Sequence, residues 1–393
     1  MTETAMVLLG LGVALLLVNG WTSWRLRQAG DTLHKPHLHI AMVWLAPGIG
    51  ALMAWAGLRA VARATTPLTL PPPGDVAPTE VAAGSATFPL DQHLVSAGGW
   101  PLVDWQAAAA WTGALDATLA AQARDTLHRG WLLHLRDALG EHVFLHETAD
   151  AYVLSSLEPR VAAATANYIA TTRQRVARVL QGLARYPEGQ KSILLVLDDE
   201  ANYYHYVSQY YPDGGEFAFS GGMFIDAGCP HFVTVAADLS LIEPVIAHEL
   251  THAALAHLNL PLWLDEGLAV NTERQLAVTL PSVHTPRELQ AKHAAFWGHA
   301  EIQAFWRGES FQRTDEGNLL SYDLARILVE QLAKPSWPAF ARFVTHAKRA
   351  DAGNASANEH LGIDLGPSAS ALVCDTPSDL WTPGVGGVQT SAA

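Results

Sequence analysis

Cysteine is scarce in this chain of 393 residues, because it has only Cys229 and Cys374. These two could form one disulfide, and their pairing stays open. No C-x-x-C pair exists that could form a cysteine zinc site or a redox motif. Positive charge is also scarce, since 24 Lys and Arg stand against 38 Asp and Glu and leave a formal net charge of −14. Binding to phosphates needs clustered Lys and Arg, so the composition argues against nucleic acid as a partner.

Charged residues of either sign make up only 16% of the chain, whereas hydrophobic residues make up 49%. Two apolar runs, Ala5 to Trp21 and Leu38 to Leu58, each approach the length that a membrane-spanning helix needs. They predict a membrane hairpin of two transmembrane helices within residues 1–64. A cleaved signal peptide is the alternative for the first run, but it is disfavoured because residues 1–5 carry no positive charge.

The charges beside the two runs predict an orientation for the hairpin. Arg25, Arg27 and Lys35 lie in the loop between the runs, which places this loop in the cytoplasm by the positive-inside rule. Arg59 and Arg63 follow the second run and oppose this orientation, three charges against two. We therefore expect a bacterial inner-membrane protein that contacts lipid through two helices and holds its globular part on the periplasmic or extracellular side.

The remaining chain divides by composition into four segments. Residues 65–85 are rich in proline and predict a semi-rigid linker. Residues 86–150 predict a helical segment, with two amphipathic helices between Trp105 and Leu139. Residues 151–373 predict one α+β domain. Residues 374–393 are rich in Gly, Pro, Ser and Thr and predict a disordered tail.

The pentapeptide H-E-L-T-H at residues 248–252 lies inside a longer run that predicts a helix over residues 240–255. Ser240 and Glu243 form a possible capping box at its start, and Pro244 would then fall in the first turn, where proline is tolerated.

Residues four apart on a helix share one face, so His248 and His252 can reach a single ion. Glu249 lies about 100° round the helix from His248, from which it can reach a water on the metal without binding the metal itself. The pattern therefore predicts two zinc ligands and a general base on one rigid element.

A catalytic zinc site takes three protein ligands and keeps one position open. Glu266 lies 14 residues after His252, which is enough chain for a turn and the start of a second helix, and Asp265 beside it is the alternative ligand. His257 is poorly placed, because it lies about 140° round the helix from His252. The Gly and the third His that metzincins place close behind the motif are absent.

Residues 261–269 read P-L-W-L-D-E-G-L-A. Together with H-E-L-T-H, this segment resembles the gluzincin metallopeptidases, specifically the bacterial peptidase MA-like family, which pairs H-E-L-T-H with a downstream W-L-x-E-G-L-A. The resemblance runs from about Tyr152 to Val373 and is strongest between Ser220 and Ala269. It implies an α+β, zincin-like metallopeptidase domain behind the membrane hairpin.

The resemblance also implies the chemistry of the site. His248, His252 and Glu266 would be the zinc ligands, and Glu249 would be the catalytic base. Tyr322 falls in the region where gluzincins place a tyrosine that stabilises the oxyanion. The implied function is hydrolysis of peptide bonds in a protein or peptide substrate, through a water activated by zinc. The alternatives are a non-catalytic receptor or assembly module on this scaffold, and a zinc hydrolase of non-peptide bonds.

The resemblance to zincins also implies a small, mostly antiparallel sheet over the zinc helix. His231 is expected to be a residue of one strand. His284, His293 and His299 are expected at the surface. The tyrosine-rich stretch from Ala201 to Tyr211 is interpreted either as a surface helix or as a wall of the substrate cleft. Strands are expected at 151–155, 192–197, 220–225 and 231–235, and helices at 159–183, 240–255, 266–276, 287–303 and 321–332.

Overall fold

A computed structural model describes Ser23 and residues 76–187, 189–210, 222–237, 239–277, 284–374 and 378–384. The described residues from 76 onward belong to one compact unit, Gly74–Ala393. The predicted membrane hairpin lies outside the described residues, apart from Ser23. No helix in the described part of the chain is long and apolar enough to cross a membrane.

The described strands form two small hairpins and one five-stranded sheet. The strands are β1 (Val81–Ala83), β2 (Ala86–Phe88), β3 (Leu94–Ala97), β4 (Trp100–Val103), β5 (Phe144–Glu147), β6 (Ala151–Ser155), β7 (Ser192–Leu197), β8 (Gly222–Ile225) and β9 (His231–Val235).

Helices make up most of the remaining described chain. They are α1 (Trp105–Gly113), α2 (Ala117–Leu139), α3 (Pro159–Val179), α4 (Glu200–Val207), α5 (Leu239–Leu255), α6 (Leu262–Leu276), α7 (Pro286–Phe296), α8 (His299–Trp306), α9 (Glu316–Ala333), α10 (Trp337–His346), α11 (Asn354–Leu361) and α12 (Leu365–Val373). Short 3₁₀ turns lie at Leu90–His93, Ala256–Leu258, Glu309–Gln312, Arg349–Asp351 and Asp379–Trp381.

The five-stranded sheet is mixed, with the strand order β5-β6-β7-β9-β8. The central pairs β6–β7 and β7–β9 are parallel, whereas the outer pairs β5–β6 and β9–β8 are antiparallel. The expectation of a mostly antiparallel sheet is therefore wrong for the three central strands. The reason is the connection, since α3 carries the chain back across the sheet before β7 begins and so leaves β6 and β7 parallel.

Both faces of the sheet are buried. Val153 and Leu194 point into a core that also contains Leu250 of α5, while Tyr152 and Leu195 point into a second core that contains Trp131 of α2. Alternate residues of one strand face opposite sides of a sheet. A strand covered on both faces reads as a continuous apolar run, which explains why β7 can be located from the sequence alone.

The two helices expected between Trp105 and Leu139 are confirmed as α1 and α2. Asp104 and Asp116 cap their first turns by accepting backbone N–H groups. The sequence did not predict the strands β1 to β5 on either side of these helices, and β1 lies within the linker expected at residues 65–85. Their three or four residues are too few to show a period-two pattern. Strand β5 precedes residue 150 and pairs with β6, so the main sheet extends across the domain boundary expected at residues 150 and 151.

The turn between β8 and β9 contains Ala227 and Gly228. Gly228 has a φ of +84°, a conformation that favours glycine. A Cβ at this position would lie 2.3 Å from the Cβ of Trp105, so α1 also packs too closely for any side chain.

Two expectations about helix ends need correction. Helix α5 begins at Leu239, one residue before the predicted N-cap Ser240, so Pro244 lies in its second turn and not in its first. The helix tolerates this proline because the cost falls on one hydrogen bond near its start. The single helix expected over residues 287–303 is two helices, α7 and α8, separated at Gly298, whose extended backbone precedes α8.

The tail is not disordered throughout, since residues 378–384 pack on the domain. The side chain of Trp381 is buried against the main core, and Trp306 donates its indole N–H to the Trp381 carbonyl at 2.7 Å. Gln303 donates to the Thr382 carbonyl at 2.9 Å. An apolar ring in a polar tail gains free energy by burial, which opposes disorder locally. The rest of the expected tail after Cys374 lies outside the described residues.

Candidate metal centre

Helix α5 presents two imidazoles on one face. His248 and His252 lie one turn apart, and their ring centroids are 4.8 Å from each other. The helix is held against the sheet by apolar residues such as Ile246 and Leu250, which are buried in the main core. The two imidazoles therefore lie side by side on one face of a well-packed helix, as their four-residue spacing predicts.

Helix α6 brings the third group. Asn259 adopts a left-handed conformation that ends the turn after α5, and Pro261 then precedes the first residue of α6. Trp263 and Leu264 anchor the new helix in the core, and the Trp263 indole donates to the Ala352 carbonyl at 2.9 Å. Glu266 follows in the second turn of α6.

The Oε2 atom of Glu266 lies 3.2 Å from Nε2 of His248 and 3.6 Å from Nε2 of His252. Among the described residues, these three form the one group of three or more metal-binding side chains whose ligand atoms converge, all within 4.8 Å of one another. Asp265 contributes no oxygen to this group, so the geometry favours Glu266 over Asp265 as the third ligand.

The three residues fit a zinc ion. Ligand atoms about 2.1 Å from a tetrahedral zinc lie roughly 3.4 Å from each other, close to both nitrogen–oxygen distances in the site. Glu266 Oε2 is also buried, and its nearest polar neighbours are the two Nε2 atoms, neither of which meets it in hydrogen-bond geometry. Burial of a carboxylate oxygen costs free energy unless a partner offsets it, and a cation bound by the three ligand atoms would offset this cost. Two imidazoles and one carboxylate form a ligand set known from catalytic zinc sites.

The outer nitrogens of the two imidazoles also have partners. Nδ1 of His252 lies 3.0 Å from Oδ2 of Asp265, and Nδ1 of His248 lies 3.1 Å from Oε2 of Glu273. Glu273 was not predicted from the sequence. It lies seven residues, or two helical turns, after Glu266 and shares its face of α6, but only the packing of α5 on α6 brings it to His248.

Burial and charge act in opposite directions on the ligands. Burial lowers the pKa of His248, but the carboxylates of Glu266 and Glu273 raise it to about 9. Burial also lowers the pKa of His252, and Asp265 with Glu266 raise it well above its usual value. Burial raises the pKa of Glu266, yet the two histidines hold it well below its usual range. Glu266 is therefore a carboxylate near neutral pH, the form that binds a metal.

Glu249 stands beside the ligand group and is not part of it. The residue is 6% exposed. Burial raises its pKa above the ordinary value, partly offset by His248 and His252 and by a hydrogen bond from the Phe224 backbone on β8. A carboxylate with a raised pKa is a better proton acceptor at neutral pH than an ordinary one.

Tyr322 projects from α9 and packs its ring against Phe311, with the ring centroids 5.1 Å apart. Burial raises the pKa of its hydroxyl well above the usual value, and the charges of Glu266 and Glu249 raise it further. The hydroxyl thus stays protonated and lies within electrostatic range of both carboxylates. His248, His252 and Glu266 thus converge, Glu249 lies beside them, and Tyr322 is near enough for both carboxylates to raise the pKa of its hydroxyl.

His231, His293 and the two cysteines are not part of this group. His231 is a buried strand residue, as expected, and its ring contacts Trp131 and Tyr206 of the second core. His293 is not at the surface but 1% exposed, because Trp297 donates to its Nδ1 and Asp323 bonds its Nε2. Cys229 and Cys374 are both thiols, so the disulfide does not form.

The tyrosine-rich helix α4 is partly a core element. Tyr203 and Tyr206 are buried in the second core, whereas Tyr204 is 39% exposed. The interpretation as a surface helix is therefore wrong for Tyr203 and Tyr206. Tyr203 also contributes to the raised pKa of the Tyr322 hydroxyl, so this side chain of α4 lies near α9.

No protein-family model, curated protein or solved structure matches this chain. The class of protein must therefore be argued from the geometry of the site.

Proposed function

We propose that this chain is a zinc-dependent metallopeptidase of the gluzincin type, with a zincin-like fold. The observation that carries the proposal is the convergence of His248, His252 and Glu266 on one point, with the buried carboxylate of Glu249 beside them. The mixed sheet with an antiparallel edge strand, followed directly by the helix that bears both histidines, supports the zincin-like fold.

His248, His252 and Glu266 would hold the zinc. When bound, zinc polarises the scissile carbonyl and lowers the pKa of a water towards about 7. Glu249 accepts a proton from the attacking water and passes it to the nitrogen of the leaving amine. Tyr322 donates its hydroxyl proton as a hydrogen bond to the oxygen that becomes negative in the transition state.

The edge of the sheet supports a peptide as the substrate. Within the described residues, β8 pairs with β9 on one side and with no strand on the other. The open edge of a strand can pair with an extended peptide through backbone hydrogen bonds. The hydrogen bond from the Phe224 backbone to Glu249 links this edge to the proposed base, so a peptide along β8 would lie next to the reacting groups.

The first test is metal content. Full-length chain purified in detergent should contain close to one zinc per chain, and His248→Ala and Glu266→Ala should each lose it. Zinc that persists undiminished in both variants would refute the ligand set. Zinc lost from Asp265→Ala and retained by Glu266→Ala would identify Asp265 as the ligand.

The second test is turnover of casein or of a pool of peptides from a membrane extract. Glu249→Gln keeps the volume of the side chain and removes the proton acceptor. It should bind zinc normally, melt near the parent temperature and lose about 10²–10⁴-fold in rate. Glu243→Gln, the same change on the same helix, is the control and should cleave like the parent.

The outcome also separates the alternatives. A parent that binds zinc and cleaves these substrates no faster than Glu249→Gln contradicts the peptidase proposal. It would leave a binding module, or a hydrolase that acts on another bond, and turnover of simple ester substrates would distinguish these two.

A further inference from the structure

Helix α6 directs three carboxylates at the two histidines of α5. Glu266 lies between the Nε2 atoms, while Asp265 and Glu273 lie on the Nδ1 side of the two rings. Each imidazole therefore has one nitrogen facing the centre and the other facing a carboxylate.

The pairing follows from the way the two helices run. His248 comes first on α5 and meets Glu273 late on α6, whereas His252 comes second and meets Asp265 early. The helices thus pass each other in opposite directions. One face of α6 can then hold both imidazoles while Glu266 reaches between them.

These contacts constrain each ring in two ways. A carboxylate can only accept, so in a neutral imidazole the hydrogen resides on Nδ1 and the lone pair on Nε2. The hydrogen bonds, of 3.0 and 3.1 Å, also limit rotation of each ring about its side-chain axis. Both effects direct the lone pairs of Nε2 to the point where Glu266 Oε2 lies.

We propose that Asp265 and Glu273 are positioning residues of the metal centre, which hold both imidazoles in the tautomer and orientation that bind a metal through Nε2. The inference rests on the proposed function for the presence of zinc. It assigns Asp265, the alternative third ligand of the sequence analysis, to orienting His252.

The surroundings separate these contacts from ordinary surface ion pairs. The side chains of Asp265 and Glu273 are 26% and 32% exposed, and those of the two histidines only 13% and 16%. Oδ1 of Asp265 is buried without a hydrogen-bond partner in the described structure. Asp265 therefore holds His252 with Oδ2, while its other oxygen is buried without a hydrogen bond to offset the cost of its burial.

Loss of such a partner typically weakens metal binding by about 10–100-fold, because the ligand must then be ordered at the expense of binding. Asp265→Ala and Glu273→Ala should each show a loss of this size. Asp265→Asn and Glu273→Gln keep an acceptor oxygen, so their losses should be smaller.

The experiment uses the full-length chain in detergent and measures the zinc Kd by competition with a chelator. The visible spectrum of the cobalt(II)-loaded protein reports ligand geometry, and thermal melting of the zinc-free protein reports folding. Glu330→Ala is the control, because it removes one exposed carboxylate on α9 that pairs with Arg326, away from both histidines. It should leave the Kd and the spectrum unchanged.

Weaker zinc binding and an altered cobalt spectrum in the alanine variants, with partial recovery in the amide variants, would support the proposal. Parent-like Kd and spectrum in Asp265→Ala and Glu273→Ala would overturn it. If an alanine variant does not fold, the amide variant decides, since a Kd and a spectrum like those of the parent then count against that residue. Complete loss of zinc from both Asp265→Ala and Asp265→Asn would make Asp265 a ligand and overturn its assignment.

Failure of the two proposals can be told apart. A parent that binds zinc, with the expected pattern among the variants but without cleavage of any peptide, contradicts the peptidase function and leaves the positioning roles intact. A parent that binds neither zinc nor cobalt overturns both.

Discussion

The hydroxyl of Tyr322 stays protonated because burial and two nearby carboxylates raise its pKa. A protonated hydroxyl near the reacting carbonyl can donate to a developing oxyanion, and loss of one such donor costs about 10²–10³-fold in rate. We expect Tyr322→Phe to lower kcat by up to this factor without loss of zinc. Tyr204→Phe, at an exposed position of α4, is the control. Unchanged kcat in Tyr322→Phe would remove the residue from the mechanism.

Two buried histidines outside the metal centre, His231 and His128, should make the free energy of unfolding depend on pH. Burial lowers the pKa of both His231 and His128 from 6.5 to about 4. His231 donates from Nδ1 to the Cys229 carbonyl at 2.7 Å and accepts the Tyr206 hydroxyl at Nε2 at 2.8 Å. The neutral imidazole therefore satisfies both partners, and protonation would leave two donors facing each other.

The direction of the pH effect follows from these shifts. Between pH 6.5 and about 4 the unfolded chain binds protons at these histidines that the folded chain does not. Stability is thus fully present above pH 6.5 and falls as the pH drops through this window, by at most about 3 kcal/mol for each imidazole. The test is urea unfolding from pH 7.5 to 4.5 with a chelator present. His128→Gln should show a weaker dependence than the parent, and an identical dependence would contradict this origin.

The shared face of His248 and His252 could be predicted because residues four apart on a helix lie one turn apart. The choice of Glu266 over Asp265 rested on the resemblance to the gluzincins, because spacing along the chain left both carboxylates open. The role of Glu273 could not be predicted, because it depends on how α5 packs against α6. The burial of His293 was missed for the same reason, since only the packing of α7 on α9 supplies Asp323 as a partner.

Helices α6 and α9 pack closely against each other at Gly267. A Cβ there would lie 2.6 Å from the Ala325 carbonyl oxygen and 2.6 Å from Cγ2 of Val329. Glycine therefore lets α9, which carries Tyr322, pack against the helix that carries Glu266.

Gly267→Ala should force these helices apart, with a loss of about 1–3 kcal/mol in stability. Because the shift also moves Tyr322 relative to Glu266, activity should fall at temperatures where the variant is folded. Thermal melting and peptide cleavage are the measurements. Gly113→Ala at the end of α1, where a Cβ would meet nothing within 4 Å, is the control. A parent-like melting temperature for Gly267→Ala would show that the backbone adjusts freely.

The elements differ in how well the sequence predicts them. Strands β6 and β7 and helices α3, α5 and α6 were located within a few residues, because each has a long apolar pattern or a strong end signal. The relative direction of β6 and β7 was not predicted, because a strand has the same side-chain pattern whether its neighbour is parallel or antiparallel. The hairpins before α1 were missed because their strands are very short.

At the scale of the whole domain, the described residues before β6 cover the second face of the sheet. Tyr152 and Leu195 point away from the metal centre and would be exposed without α2, whose Trp131 packs in the same core. The residues before β6 thus complete the layer opposite the metal centre. Truncations that start at residue 151 would expose this apolar face.

If the two apolar runs within residues 1–64 span a membrane, as the sequence predicts, the charges beside them decide on which side the domain lies. The loop charges Arg25, Arg27 and Lys35 predict a cytoplasmic loop, which places the chain after residue 64 outside. Fusions of alkaline phosphatase and of a cytoplasm-active reporter after Thr79 should give activity from the phosphatase alone.

Replacing the three loop charges with glutamine is the matched variant. Arg59 and Arg63 would then be the remaining positive charges beside the two apolar runs, so the bias should reverse and the cytoplasmic reporter should gain activity. Activity from the cytoplasmic reporter alone in the parent would contradict the orientation. It would not affect the proposed zinc chemistry, because the residues of the metal centre lie far along the sequence from the charges that set the orientation. It would, however, change the expected substrates from extracytoplasmic to cytoplasmic proteins.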